Sequence, residues 1–177
     1  MKTENQKDAG ANGPGVTEAV RAALMRGDVA GVHKLLARPY ALRGAVVPGK
    51  GLGRQSGMPT ANIRTPPGIP LPAHGVYATL TRIENGDGAY TGEYRGLTHI
   101  GARPSVDSSR DVTIETYLFD FSGSLYSINI VIEFYLFIRE TRKFNSLDEV
   151  KAQVDRDAVT AIAYFNEFMR ARRPPEA

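Results

Sequence analysis

From Gly49 to Asn62 the chain reads Gly-Lys-Gly-Leu-Gly-Arg-Gln-Ser-Gly-Met-Pro-Thr-Ala-Asn, and these residue types suit phosphate and metal. Glycines at 49, 51, 53 and 57 open backbone conformations closed to other residues, so that several N–H groups can converge on an anion. Thr60 and Asn62, two residues apart, point the same way on an extended segment. Both carry hard oxygens of the kind Mg²⁺ accepts. The candidate phosphate-binding segment is therefore Gly49, Lys50, Gly51, Gly53, Arg54, Gly57, Pro59 and Thr60, and the candidate metal ligands are Thr60 and Asn62. Lys50 and Arg54 either add positive charge near a nucleotide or stand as solvated loop charges. Loops that hand a phosphate to a helix N-terminus do not fit, because Pro59 is followed by Pro66, Pro67, Pro70 and Pro72.

Glu115 is the second candidate. In Val112-Thr113-Ile114-Glu115-Thr116-Tyr117-Leu118-Phe119 alternation puts it on one face with Thr113, Tyr117 and Phe119, where a buried, unpaired carboxylate would be costly. The choice is between an edge-strand charge that blocks aggregation and a reactive group. Arg139 follows the most apolar strand-like stretch and opens Arg-Glu-Thr-Arg-Lys-Phe, ending at Phe144. On residues alone it reads equally as a strand-end arginine in solvent. His33, His74 and His99 have no metal-ligand spacing and read as structural or exposed. No Ser-His-Asp or nucleophile-elbow context occurs.

The elements that must position these groups are legible from periodicity. Residues 1–15 mix Gly, Asn, Lys and Asp without period and are expected to be a disordered leader. Residues 16–37 predict a helical hairpin, with Gly27 as the stop and Asp28 as the next cap. Beyond residue 38 the period changes to two. Stretches 41–47, 76–83, 90–99, 112–121 and 128–138 are rich in β-branched and aromatic residues and are separated by turns such as Asn85-Gly86-Asp87-Gly88. Five or six strands with short connections predict an antiparallel barrel. Ser146 and Glu149 have capping-box spacing ahead of Leu147, Val150, Val154, Ala158, Ala161, Phe165 and Phe168, a helix whose apolar stripe should pack on the barrel. A domain over 38–169 and a tail over 170–177 complete the expected layout.

Composition narrows the function. At 177 residues the chain is about one domain, and the absence of cysteine excludes a disulfide scaffold or thiolate metal site. No signal-like apolar run opens it, and no window has the ~18 apolar residues of a membrane helix, so a cytoplasmic location away from membranes is expected. The net charge of +3 is concentrated in the tail, where Arg170, Arg172 and Arg173 face one acid, Glu176; this argues against nucleic-acid binding.

The order Gly-x-x-x-Gly-Arg-x-x-Gly-x-Pro-Thr-Ala-Asn, together with Ile114-Glu115-Thr116-Tyr117-Leu118-Phe119-Asp120-Phe121-Ser122-Gly123-Ser124-Leu125-Tyr126, resembles the riboflavin kinase (flavokinase) family over roughly residues 38–165. The preceding hairpin resembles the linker before this domain in two-domain bacterial flavin enzymes. The resemblance implies a mainly β fold, a six-stranded Greek-key barrel with an N-terminal helical hairpin and a C-terminal helix. It also implies ATP:riboflavin 5′-phosphotransferase activity giving FMN, with ATP and riboflavin as substrates, Mg²⁺ (or Zn²⁺ or Mn²⁺) as cofactor, and a monomer. Glu115 then corresponds to the catalytic base, and Arg139, Phe144 and Arg103 to flavin-side residues. Departures fall at His99, where asparagine is common, at Ser105, Ser124 and Ser127, and at Thr141, which replaces a frequent glutamate.

Two other readings stand beside it. A non-catalytic flavin- or nucleotide-binding regulatory barrel would be expected to lose Thr60, Asn62 or Glu115, and all three are present. An oligonucleotide-binding barrel would interleave basic and aromatic residues, whereas these strands carry Glu115, Asp120 and Glu133. FMN is the expected end product, since the 40 residues ahead of the barrel hold one histidine, His33, and no His-x-Gly-His motif of the kind that makes FAD.

Overall fold

The computed structural model describes residues 16–49, 58–102 and 112–171. The element order is α1 (Glu18–Met25), α2 (Val29–Leu36), β1 (Tyr40–Val47), β2 (Thr60–Arg64), β3 (Gly75–Glu84), β4 (Tyr90–Ala102), β5 (Val112–Leu118), β6 (Asn129–Arg139) and α3 (Leu147–Ala171). The strands close into a barrel in the order β1-β2-β5-β4-β3-β6, every pairing antiparallel. Strands β3, β4 and β5 run as a meander and β6 returns beside β3, the Greek-key arrangement. This is the expected six-stranded barrel.

Period-two alternation divides the strands between two cores. Leu42, Ile63, Ile100, Ile114, Ile132 and Phe134 point into the barrel with Tyr40 and Tyr77, whose rings lie 6.4 and 5.3 Å from Phe134. Val76, Ala78, Leu97 and Tyr135 point outward and are covered by α3 through Ala161 and Phe165, flanked by Val154, Ala158 and Phe168. The hairpin closes onto the inner core through Val20, Leu24, Val29 and Val32, with α2 against β6 and β1. Its corner is made by Gly27 at φ +72, a conformation that a side chain would strain, and by Asp28, whose Oδ1 accepts from the Gly31 N–H at 2.8 Å. The proline-rich link between β2 and β3 is pinned here too: the Tyr40 hydroxyl donates to Pro70 O, the Tyr77 hydroxyl to Ala73 O at 2.6 Å, and the Ala73 N–H to Leu24 O at 2.8 Å.

The sixth strand, β2, forms at 60–64 on the segment expected to be extended, between prolines, where five residues were too few for alternation to mark a strand. Other local results differ from the sequence-based expectations. Strand β5 ends at Leu118, not Phe121, because Asp120 turns the chain at φ 56. Helix α3 continues through Ala171, into the stretch expected as tail. At its start the Glu149 N–H donates to Ser146 Oγ at 3.2 Å, while the Glu149 carboxylate accepts from the Asn145 N–H at 2.9 Å, one residue earlier than in a capping box. Leu147, placed on the apolar stripe by periodicity, is 52% exposed; Gln153 and Asp157 are buried instead. Among the described residues no helix is long and apolar enough to cross a membrane.

Phe134 is fully buried where barrel and hairpin meet. Phe134→Ala should therefore lower unfolding free energy by about 3–5 kcal/mol in urea titrations. A loss below about 1 kcal/mol would show that this ring does not anchor the core.

Candidate active site

The barrel register places the candidate residues in one row on its outer face. Asn62 on β2 pairs with Glu115 on β5, Glu115 with His99 on β4, His99 with Val76 on β3, and Val76 with Arg139 on β6. Directly opposed side chains in such pairs have Cβ atoms about 4.5–5.5 Å apart. Thr60, one pleat along, pairs with Tyr117. Strand β5 alternates here as the sequence suggested: Ile114, Thr116 and Leu118 are buried in the barrel, while Thr113, Glu115 and Tyr117 are half-buried on the outside. An edge-strand role for Glu115 is excluded, because β5 is paired on both sides.

A cleft of about 340 Å³ lies over this row, between the outer face and the first half of α3. Its floor includes Val76, Leu97, His99, Glu115 and Tyr117; its far wall is Arg139, Arg142, Phe144, Val150, Val154 and Asp157. A second cleft of about 320 Å³ lies beyond β2, bounded by Val46, Pro59, Ala61 and the turn from Phe121 to Tyr126. Thr60 lines both. Gly49 packs so closely on Asn62 that a Cβ there would collide with the carboxamide, so glycine is what allows this approach. Lys50, Gly51, Gly53, Arg54 and Gly57 of the glycine-rich loop, and Arg103, lie outside the described residues.

Thr60 and Asn62 supply a hydroxyl and a carboxamide oxygen on the face that carries Glu115, a donor set suited to a hard divalent cation. Among the described residues no three His, Asp or Glu side chains gather as a metal cage. A cation held here would take most of its ligands from water and from a bound phosphate, as Mg²⁺ commonly does.

Arg139 is not a strand-end arginine in solvent. Its Nε donates to Asp157 Oδ1 and Oδ2 at 3.2 and 2.9 Å, its Nη2 lies 2.9 Å from Oδ2, and its Nη1 donates to Glu140 O at 3.0 Å. The Phe144 ring sits 5.7 Å from the Arg139 guanidinium and 4.7 Å from that of Arg142. Arg142 Nη2 in turn donates to Gln153 Oε1 at 2.6 Å. Asp157 and Gln153 were not singled out as site residues: both fall beside the apolar stripe at helical spacing, but as polar residues they were not counted with it.

His99, read from sequence as structural or exposed, lines the cleft between Val76 and Glu115. Its Nε2 is 3.4 Å from the Thr141 hydroxyl. Burial, then the nearby charges of Arg139 and His74, hold its pKa below the ordinary 6.5.

Comparison with known proteins gives the family and the fold. The family model described as riboflavin kinase matches residues 36–165. The chain belongs to the riboflavin kinase family. A bifunctional riboflavin kinase/FMN adenylyltransferase from Haemophilus influenzae is 38% identical over 148 residues, covering 84% of this chain and 46% of that protein. The chain thus spans about half the length of the curated relatives it matches. A solved structure described as a macrolide-efflux protein from Streptococcus pneumoniae superposes with TM-score 0.74 at 30% identity, over 84% of this chain and 47% of that one. The riboflavin kinase from Trypanosoma brucei superposes with TM-score 0.55 at 22% identity, over 78% and 92%, a likeness of fold.

The depressed His99 pKa carries a sign. Between that value and 6.5 the unfolded chain binds more protons, so this residue's contribution to stability is complete above about pH 6.5 and is lost as pH falls through the window below it. His99→Asn should flatten the dependence of the thermal midpoint between about pH 7.5 and 5. An unchanged slope would mean that the imidazole titrates as freely as in the unfolded chain.

Proposed function

We propose that this chain is an ATP:riboflavin 5′-phosphotransferase, moving the γ-phosphoryl group of ATP to the 5′-hydroxyl of riboflavin and releasing FMN and ADP. The observation that carries the reading is the placement of Glu115 directly opposite Asn62, with Thr60 shared by two clefts. One cleft takes the acceptor and the other the nucleotide, so that the two substrates meet beside Thr60. Glu115 accepts the proton of the 5′-hydroxyl as its oxygen bonds to the γ-phosphorus and the bond to the β-phosphate oxygen breaks. Thr60 and Asn62 hold Mg²⁺, or Mn²⁺ or Zn²⁺, which neutralises charge on the phosphates when bound. Backbone N–H groups of the glycine-rich segment from Gly49 to Gly57 are the proposed phosphate donors, with Lys50 and Arg54 as added positive charge, and Pro59 precedes β2.

The ion pair in the far wall supports placing the flavin on the α3 side. Arg139 is charge-compensated by Asp157, which makes it a poor phosphate clamp and a good flat neighbour for a neutral ring. Phe144 adds an aromatic edge, and Arg103 belongs to the same flavin side. Three interstrand steps separate Arg139 from Glu115, about 14 Å measured along the curved barrel wall, and both residues line the same cleft.

Glu115→Gln should leave the fold and riboflavin binding in place and lower kcat by about 10² or more, because the amide cannot take the proton. Chromatographic assay of FMN with wild-type-like kcat in this variant would remove Glu115 from the mechanism.

Thr60→Ala and Asn62→Ala should each raise the Mg²⁺ concentration needed for half-maximal rate and weaken MgATP more than riboflavin. Metal titrations that coincide with wild type in both variants would overturn the metal assignment.

A further inference from the structure

We infer that Asp157 is a positioning residue for the acceptor: it holds Arg139 flat in the cleft wall and compensates its charge, so that this arginine offers a rigid, charge-compensated face to a planar ring. The inference rests on the assignment of the cleft to riboflavin. The Asp157 carboxylate is only 2% exposed on the face of α3 that packs on the barrel, which is costly unless every oxygen is used. Both are used. Arg139 Nε and Nη2 take them in a two-pronged pair, and Gln153 Nε2 donates to Oδ1 at 2.7 Å.

The geometry has consequences beyond holding α3 to the barrel. With Nε and Nη2 engaged and Nη1 tied to Glu140 O, the guanidinium plane cannot swing; side-chain exposure of Arg139 is 20%, against 3% for Asp157. Arg139 is therefore the member of the pair that meets a ligand, and Asp157 acts through it. Gln153 spreads the constraint: its Oε1 accepts from Arg142 and Arg156, and Arg142 and Arg139 both lie on Phe144. The carboxylate thus orients Arg139 directly and Arg142 through Gln153, with the Phe144 ring between the two arginines, while its own side chain is 3% exposed.

The test is a double-mutant cycle on the full chain, with KM and kcat for riboflavin and KM for MgATP measured for wild type, Asp157→Asn, Arg139→Gln and the double variant. Asp157→Asn keeps the shape but puts a donor against a donor and leaves the arginine charge uncompensated. Its riboflavin KM should rise about tenfold, the scale of a lost hydrogen bond to a charged group. Its kcat should stay within about threefold, the MgATP KM should not move, and the double variant should be no worse than Arg139→Gln alone. A merely structural role would lower the thermal midpoint and leave the riboflavin KM in place, or give effects that multiply in the double variant; either overturns the inference. If Asp157→Asn does not fold, Gln153→Ala removes one bond from the carboxylate and spares the ion pair. It should raise riboflavin KM about threefold, and an unchanged KM counts against the inference equally. A wild-type chain that does not phosphorylate riboflavin fells the assignment of the cleft and this inference together. A wild type that turns over with an indistinguishable Asp157→Asn fells this inference alone.

Discussion

The constraint on which everything else depends is the register of the closed barrel. Because side chains alternate, a slip of one residue between β5 and its neighbours would turn Glu115 inward and bring Ile114 and Thr116 to the cleft floor. Closure makes the constraint mutual. Strand β6 pairs with both β3 and β1, so Arg139 cannot shift relative to Val76 without breaking the Tyr40–Phe134 and Ala45–Asn129 registers on its other edge. The row from Asn62 to Arg139 is one consequence of six simultaneous pairings.

Behind that row the barrel interior carries an unusual polar seam. The Thr79 and Thr98 hydroxyls are 2.8 Å apart, Thr98 donates to Thr116 at 2.9 Å, and all three are fully buried. Thr98 and Thr116 are the chain neighbours of His99 and Glu115, pointing the other way. A hydroxyl inside an apolar barrel is costly unless paired, so these bonds favour the one register that makes them. Thr81, further along β3, has no partner for its hydroxyl among the described residues. The inner face thus reinforces the alignment that the outer face uses.

How much of this was legible follows from what each residue's environment repeats. Strands β1, β3, β4 and β6 were readable because eight or more residues alternate or run apolar, and α3 because its stripe recurs over many turns. Glu115, Thr60 and Asn62 stood out as polar groups at chemically suggestive spacings, and the register then placed them together. Strand β2 did not stand out, since five residues between prolines show no period. Asp157 and His99 were missed for a different reason. Each is polar at a position whose burial is imposed by another element, α3 pressed on the sheet or the cleft wall folded over β4, and local sequence carries no trace of that partner. Arg139 was ambiguous until its counter-charge, 18 residues away, was known.

The division of charge along the cleft follows from these same pairings. At the α3 end a full positive charge is cancelled within the wall by a buried carboxylate. At the β2 end, among the described residues, the groups that the register sets beside Glu115 include a hydroxyl, a carboxamide and an imidazole whose pKa burial lowers. Carboxylates in place of Thr60 and Asn62 would grip a cation more tightly, but they would also repel a polyphosphate and, by like-charge coupling, raise the pKa of Glu115. Neutral donors avoid both. On the proposed reading, the metal and the substrate phosphates bring opposite charges to the reaction centre, and Glu115 is the group that receives the proton. A charged His99 would disturb this arrangement from one strand away, which gives a physical reason for the imidazole to be buried between Val76 and Glu115.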